Sequence, residues 1–363
     1  MLDRIFSFIR SKNKQAILHY HLYELKAGAR EAAGRMLHTE RPRGNPQGRI
    51  SLEGQTGRMY GFHRSGWRFA VDCLQELHNS GGVLADTFID RTFASDAKRM
   101  IVYRRPWIGF IHVPPHVPDW IRCTQTNDLI FTSESWQESK PYCLGLFTLS
   151  EYHRQALEPR VGVPVESLMH PTEFPDVVWS WDRFLRNRDR KVVQTGWWLR
   201  RATTLYHLEA PGYRKVMLRK KDVDAAQHLA AEKEHLFGGR PLTDLQMKSV
   251  SLEGYLSNRK YDELMSENIV FLDLIDASAN NAIIECIARN TPVLVNPLPA
   301  VREYLGAGYP LYYRSPGEAS EKLQNMELVR EAHEYLAHAP IKERLTAEGF
   351  RSSFTGSAIY RSL

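Results

Sequence analysis

Two α/β domains with parallel sheets, facing each other across a cleft, are what this 363-residue sequence predicts. Three observations predict it. Short apolar runs of strand length alternate with helical patterns in both halves, which is the signature of strand-helix-strand units. Between the halves, His170 to Arg190 breaks the rhythm with Pro171, Pro175 and the charged run from Arg183 to Lys191. In the second half, Asn268 to Gly306 reads as strand, phosphate-sized turn, helix, strand and a second helix start. The length allows two domains of ordinary size, each with a full core.

Residues 1–57 carry the weakest pattern, with helix formers from Gln15 to Leu37 and a loop from Thr39 to Gly48 set by Pro42, Gly44, Pro46 and Gly48. From Arg58 the chain turns regular. Met59 to Phe62 reads as a strand, His63 to Gly66 as a turn, and Trp67 to His78 as a helix closed by Gly81-Gly82. Val83 to Ile89, Met100 to Tyr103 and Trp107 to His112 follow as strands, the last stopped at Pro114-Pro115. Leu129 to Phe131 and Leu144 to Leu149 continue the series. Ser150 then caps a helix from Tyr152 to Leu157, and Val165 to Met169 ends this half. The second half restarts with the strands Lys191 to Thr195 and Tyr213 to Leu218, a helix from Val223 to Phe237, a strand from Val250 to Leu256 and a helix around Tyr261 to Met265. Residues 318–348 are helical in pattern. The expected division is an N-terminal domain over 1–172, a crossover over 173–190 in which Trp179 and Trp181 pack on something, a C-terminal domain over 191–340, and a last helix over 341–363.

Composition narrows the function. Hydrophobic content of 43% and charged content of 25% are those of an ordinary globular chain, and no apolar run is long enough to span a bilayer. The N-terminus, with Leu2, Ile5, Phe6 and Ile9 beside Arg4, Arg10 and Lys12, lacks the continuous apolar core of a signal peptide and reads as a terminal helix, with a weak interfacial helix as the alternative. Cys73, Cys123, Cys143 and Cys286 form no paired motif, so neither a disulfide framework nor a zinc site is indicated and a cytoplasmic setting fits. The net charge of +6 suits an anionic ligand or membrane face and is too small to argue for nucleic acid.

The residues that carry chemistry gather at strand ends. Ile269 to Leu274 is a buried strand followed by Asp276, Ser278, Asn280 and Asn281, which are helix-capping types, so a helix begins near Asn280 or Asn281. A helix start at the carboxyl edge of a parallel sheet points backbone N–H groups and a positive dipole end at an anion. Glu285 lies about one turn further in on an otherwise apolar helix and needs a partner, either a donor in its own fold or the hydroxyls of a sugar or ribose. Gly196 to Arg201 is a turn holding Arg200 and Arg201, a phosphate cradle or a solvated basic turn. His112 ends a strand and faces the cleft; His116 is not its metal-binding companion, because Pro114 and Pro115 forbid the helix that would align them. Asp273, inside a strand, reads as structural, and Asp276 as a candidate base.

The segment from Asn268 to Gly306 resembles the donor-binding element of GT-B glycosyltransferases, especially the retaining ones grouped as family 4. That family has two glutamates eight positions apart, then a small-residue turn and a Pro-Val strand. Glu285 and Thr291-Pro292-Val293 match the second half, and Ala277, next to Asp276, stands where the first glutamate would be. The resemblance implies the GT-B fold of two Rossmann-like domains, with the last helix returning to the first. It implies that Glu285 holds a ribose and that the backbone around Ser278, Asn280 and Asn281 holds the diphosphate or sugar. Arg200 and Arg201 after Gly196 would neutralise the departing diphosphate, Gly66 would make the tight turn toward the donor, and His112 would sit by the transferred sugar. The loop Gly254 to Lys260 would lie near the nucleobase, with Tyr261 stacked on it or in the core. Asp222-Val223-Asp224 matches the metal motif of the other main glycosyltransferase fold, but helix capping accounts for it. The function so implied is transfer of a sugar from a UDP- or GDP-sugar, with no obligatory metal and with retention, to a glycan or lipid-linked acceptor, in the cytoplasm or peripherally at the inner membrane face. Its rivals are a nucleotide-sugar epimerase on the same fold, a non-catalytic GT-B module that binds nucleotide or protein, and a nucleic-acid-acting enzyme.

Overall fold

A computed structural model describes residues 47–55, 64–95, 100–121, 125–218, 230–235, 242–254 and 256–363. The helix formers from Gln15 to Leu37, the expected strand Met59 to Phe62, Asp222-Val223-Asp224 and most of the expected helix Val223 to Phe237 lie outside the described residues. Both sheets below belong to one compact unit running from Pro46 to Leu363.

The first sheet is parallel and takes its strands in chain order: β1 (Ile50–Ser51), β2 (Val83–Asp86), β3 (Trp107–Phe110), β4 (Cys143–Thr148) and β5 (Val165–Ser167). β3 is buried along its whole length, as a parallel strand covered on both faces must be. Its helices are α1 (Trp67–Cys73), α2 (Asn127–Thr132), α3 (Glu134–Ser139) and α4 (Glu151–Val161). Ser150 caps α4 by accepting from His153 N, and Gly162 ends it in the left-handed conformation. Two expectations are corrected here. Leu129 to Phe131 are not a strand but lie inside α2, because Thr126 Oγ1 accepts from Leu129 N and starts a helix. Met100 to Tyr103 joins no sheet; Tyr103 is held instead by its N–H to Ser139 Oγ at 2.9 Å and its hydroxyl to Asp86 at 2.9 Å.

After the crossover helix α5 (Trp181–Arg186) the second sheet comprises β6 (Lys191–Thr195), β7 (Arg214–Leu218), β8 (Val250–Glu253), β9 (Ile269–Leu272) and β10 (Val293–Val295), all parallel, in the order β10-β9-β6-β7-β8. The order reverses between β6 and β9, which opens a crevice beyond their carboxyl ends. The helices α6 (Thr204–His207), α7 (Asp244–Lys248), α8 (Asn258–Ser266), α9 (Asn281–Arg289) and α10 (Pro299–Leu305) flank this sheet, and α11 (Pro316–Gln324), α12 (Met326–Ala337) and α13 (Ile341–Leu345) follow. Trp179 of the crossover is buried in the same core, its indole N–H donating to Asn268 O at 2.9 Å and its backbone N–H to Arg289 O at 2.7 Å.

The last two helices, α14 (Ala347–Gly356) and α15 (Ala358–Arg361), leave the second sheet's core. Phe350, Phe354, Ile359 and Tyr360 share a core with Ile50, Ala70, Phe110 and Phe147 of the first domain. The fit is close. At Gly145 in β4 a Cβ would lie 2.6 Å from Ile359, so the strand needs glycine for this helix to approach.

Candidate functional site

The crevice between β6 and β9 is built from two loops that the backbone ties together. Arg201 N donates to Asp273 O at 2.8 Å and Ile275 N to Leu199 O at 2.9 Å, so the turn after β6 and the loop after β9 move as one piece. Gly196 has φ +69°, and a Cβ there would come within 2.9 Å of the Arg200 guanidinium. A side chain at 196 is therefore strained by the backbone conformation and would push against the end of the Arg200 side chain.

Arg200 is buried, donating from Nη1 to Trp198 O at 2.9 Å and from Nη2 toward Asn280 Oδ1 at 3.4 Å. Burial lowers its pKa to about 10, opposed by the field of Tyr261 and Glu285. Arg201 is the more exposed of the two and pairs with Asp273 Oδ1 at 2.9 Å. Asp273, expected inside a strand, lies just past the end of β9 and also accepts from Thr204 Oγ1 at 2.7 Å, so it ties Arg201 and Thr204 together.

α9 starts where the capping types placed it. Asn280 is its N-cap, and Oδ1 accepts from Ala282 N at 3.1 Å and Ile283 N at 3.3 Å. The expectation that this helix start leaves its N–H groups for an anion thus needs correction: two of them are taken by Asn280 itself. Asn281 is half-buried at the first helical position. Glu285 is buried one turn on. Its Oε1 accepts from Ser65 Oγ at 2.5 Å and its Oε2 from the Tyr261 hydroxyl at 2.7 Å. Tyr261 is committed to this carboxylate through its hydroxyl, with the Arg289 guanidinium 5.5 Å from its ring centre. Arg289, fully buried, pairs with Asp262, which also accepts from Arg64 at 2.8 Å. Arg64 reaches on to Glu173 at 2.6 Å.

The first domain's sheet edge meets these loops. Asp276 Oδ2 accepts from His116 N at 2.8 Å and Oδ1 from Ala277 N at 2.8 Å; burial raises its pKa, against these hydrogen bonds and that of Tyr152. Ser278 Oγ accepts from Leu149 N at 3.3 Å and lies 2.7 Å from His153 Nδ1. His153 is buried, and desolvation lowers its pKa to about 4, so it is neutral at pH 7. Glu303 of α10 accepts from Glu151 N and Tyr152 N, each at 2.6 Å, so a carboxylate of the second domain occupies the N-terminus of α4.

His112 follows β3 and is fixed on three sides. Its backbone N–H and that of Val113 donate to the buried carboxylate of Asp90, and its Nδ1 lies 3.1 Å from Asp90 Oδ2. Phe88 stacks on the ring at 4.0 Å and Trp67 meets it edge-on at 4.3 Å. Since a carboxylate only accepts, Nδ1 carries the hydrogen, and in the neutral ring Nε2 is then the acceptor. Nε2 of His112 and Nε2 of His153 are buried and have no hydrogen-bond partner among the described residues. Gly66, at the N-cap of α1, has φ −68° and so makes no left-handed turn.

The structure thus brings Arg200, Asn280 and Glu285 together, joins Arg201 to them through the backbone, and sets Asp276 and Ser278 against the first domain. Sequence reasoning missed Ser65, Asp90, His153 and Glu303. Asp90 alone left a signal, a carboxylate directly after the strand run Val83 to Ile89; the others act through partners more than a hundred positions away. Among the described residues no group of three or more His, Cys, Asp or Glu is arranged to hold a metal ion, and no helix is long and apolar enough to cross a membrane.

No protein-family model matches the chain, and no curated protein matches it by sequence. Solved structures do. A sucrose-phosphate synthase from Thermosynechococcus elongatus superposes with a TM-score of 0.55 at 10% identity, over 81% of this chain and 76% of that one. The trehalose-6-phosphate synthase OtsA gives 0.51 at 12% identity, over 79% and 74%. An E. coli structure described as trehalose-6-phosphate bound with UDP-2-fluoro glucose gives 0.50 at 11%, over 79% and 75%. At such identities the likeness is one of fold: this chain has the GT-B fold, as its two parallel five-stranded sheets also indicate.

Proposed function

We propose that the chain is a glycosyltransferase that takes a UDP- or GDP-sugar and moves the sugar, with retention and without an obligatory metal, to a hydroxyl of a glycan or lipid-linked acceptor. The observation that carries this is a buried arginine within the field of a buried carboxylate at the point where the second sheet's strand order reverses: Arg200 under Gly196, and Glu285 one turn into α9. A cation at that edge suits a diphosphate that gains charge as it departs. A carboxylate with two oxygens turned to hydroxyl groups suits the diol of a ribose. On the other side of the crevice, Nε2 of His112 accepts a hydrogen bond from a sugar hydroxyl, and Asp276, with its raised pKa, stands beside Ala277 as the acidic group nearest the reacting carbon. Ser278, Asn280 and Asn281 line the diphosphate side, Arg201 follows Arg200 there, and Gly66 brings the first domain up to the donor.

The fold neighbours support this choice over the rivals, since all three named above are described by sugar-phosphate or nucleotide-sugar chemistry. An epimerase would consume the donor with no acceptor present, and a binding module would consume nothing. A cytoplasmic protein touching the inner face of the membrane accommodates a lipid-linked acceptor.

The test is thermal unfolding with UDP, GDP, ADP, CMP and dTDP, each with and without magnesium, for the native chain and Glu285→Ala. A nucleotide at a hundredfold over its dissociation constant is expected to add about 2.7 kcal/mol. Stabilisation by one nucleotide that Glu285→Ala abolishes identifies the base; no stabilisation by any of them overturns the proposal. The anomeric proton coupling of the product, read by NMR, then checks retention.

A further inference from the structure

Glu285 does not wait empty for a ribose. In the ligand-free chain its two oxygens already receive two hydroxyl groups, the Tyr261 phenol from α8 of the same domain and the Ser65 alcohol from the other domain, 220 positions away. The two differ in attachment. Tyr261 is part of the second domain's own fabric, its ring under the Arg289 guanidinium. Ser65 is buried in the turn that leads into α1, and its neighbour Arg64 grips Asp262 of α8, at 3.1 Å from Nε and 2.8 Å from Nη2, and Glu173 at 2.6 Å. An alcohol donating to a carboxylate at 2.5 Å makes the contact that a ribose hydroxyl would make.

Resting on the reading of Glu285 as the ribose-binding group, we propose that Ser65 is a built-in stand-in for a ribose hydroxyl, and that it sets the donor affinity of this site. A nucleotide whose ribose reaches Glu285 exchanges its hydroxyl for that of Ser65. The Arg64 to Gly66 turn gives up its Ser65 tie to α9 in the same event and keeps the Arg64 grip on Asp262 of α8, so occupation of the donor site and loss of that one interdomain hydrogen bond are one step. A nucleotide without ribose hydroxyls has nothing to exchange and leaves Ser65 where it is. With Ser65 gone, Oε1 of Glu285 loses the Ser65 donor, and a ribose hydroxyl reaches that oxygen without displacing an alcohol, while Tyr261 stays on Oε2.

The experiment is calorimetric titration of UDP and GDP, and of the 2′,3′-dideoxy form of each, into the native chain, Ser65→Ala, Ser65→Thr and Glu285→Gln. Ser65→Ala is expected to tighten the ribonucleotide about three- to tenfold and to leave the dideoxy form unchanged, while Ser65→Thr, which keeps the hydroxyl, stays within about twofold of native. Should Ser65→Ala fail to fold, Ser65→Cys, whose thiol is a weak donor, is expected to show the same selective gain. Weaker ribonucleotide binding in Ser65→Ala, or an equal change for both sugars, overturns the proposal. The two ideas fail differently. If Glu285→Gln removes the preference for the ribonucleotide and Ser65→Ala has no selective effect, only the stand-in role falls. If Glu285→Gln leaves the preference intact, or neither ribonucleotide binds, the ribose reading of Glu285 falls and this inference with it.

Discussion

At the edge of the second sheet, Arg200, Arg201, Glu285 and Asp276 each already face a carboxylate, a carbonyl, a hydroxyl or a backbone N–H, whereas at the edge of the first sheet two imidazoles keep a buried Nε2 without a hydrogen bond among the described residues. The second edge is crowded with charge and self-compensated; the first, beside the Asp90 carboxylate, has imidazole nitrogens to spare. A ligand for the second edge must compete with the protein's own contacts, which an anion with several oxygens can do. A ligand for the first edge has only to offer hydroxyl groups. One molecule carrying a diphosphate at one end and a sugar at the other satisfies both.

The contrast can be broken most forcefully through Asp262, which holds Arg289 and Arg64 together. Asp262→Ala strands a fully buried guanidinium, and the expected loss of stability is about 3–5 kcal/mol by urea unfolding at pH 7. A loss below about 1 kcal/mol would mean that the Arg289 bond to Glu285 O at 3.1 Å suffices for its charge.

The neutral state of His153 at the first edge is checked by its titration. An unfolded histidine takes up a proton near pH 6.5, and His153 in the fold does so only near pH 4. Between those values the unfolded state binds more protons, so stability is complete above pH 6.5 and falls as the pH drops. The fall expected by pH 4 is on the order of 3 kcal/mol, and His153→Gln is expected to remove that part of the slope. Identical slopes in the two proteins would place the proton on His153 in the folded state as well.

Asp90 sharpens the comparison further. In Asp90→Asn an amide faces Nδ1 of His112 where a carboxylate did, and the amide can donate to Nδ1 and drive the hydrogen to Nε2, turning the acceptor into a donor. Nitrogen-15 shifts of the imidazole are expected to report that exchange, and turnover of the sugar donor to fall roughly a hundredfold. Asp90→Glu, which keeps the carboxylate, is expected to recover part of the rate. Unchanged imidazole shifts would reduce Asp90 to a support for the backbone of His112 and Val113.

Much of the second sheet was readable because β6 and β7 hold apolar stretches, Val192-Val193 and Val216 to Leu218, and β9 and β10 are apolar throughout. Lys191–Thr195 and Ile269–Leu272 sit where hydrophobic runs put them, and α9 starts at the asparagine that caps it. The first sheet was harder. β1 is two residues long, too short for any periodicity, and Leu129 to Phe131 looked like a strand because the run is apolar, although Thr126 in front of it is a helix cap. In the candidate site, Glu285 stood out as a carboxylate on an apolar helix. Its partners did not, since nothing local in Ser65 or Tyr261 reveals that a fold will bring both hydroxyls to one carboxylate. The same holds for Glu303 at the head of α4: side-chain pairs across domains are set by how the two sheets dock, and a single sequence carries no trace of that docking.

The return of α14 and α15 to the first domain has a consequence for how the chain is made. β1 to β5 emerge from the ribosome with Phe110 and Phe147 lacking the aromatic cover that Phe354 later supplies at 5.8 Å and 5.2 Å. About 180 residues separate β5 from α14, roughly 10–40 s of synthesis at ordinary speeds. The second sheet's core, from Trp179 to Leu345, is finished before then. The earlier-translated of the two domains is thus completed after the later one, closed by a segment that follows the whole of the second sheet's core.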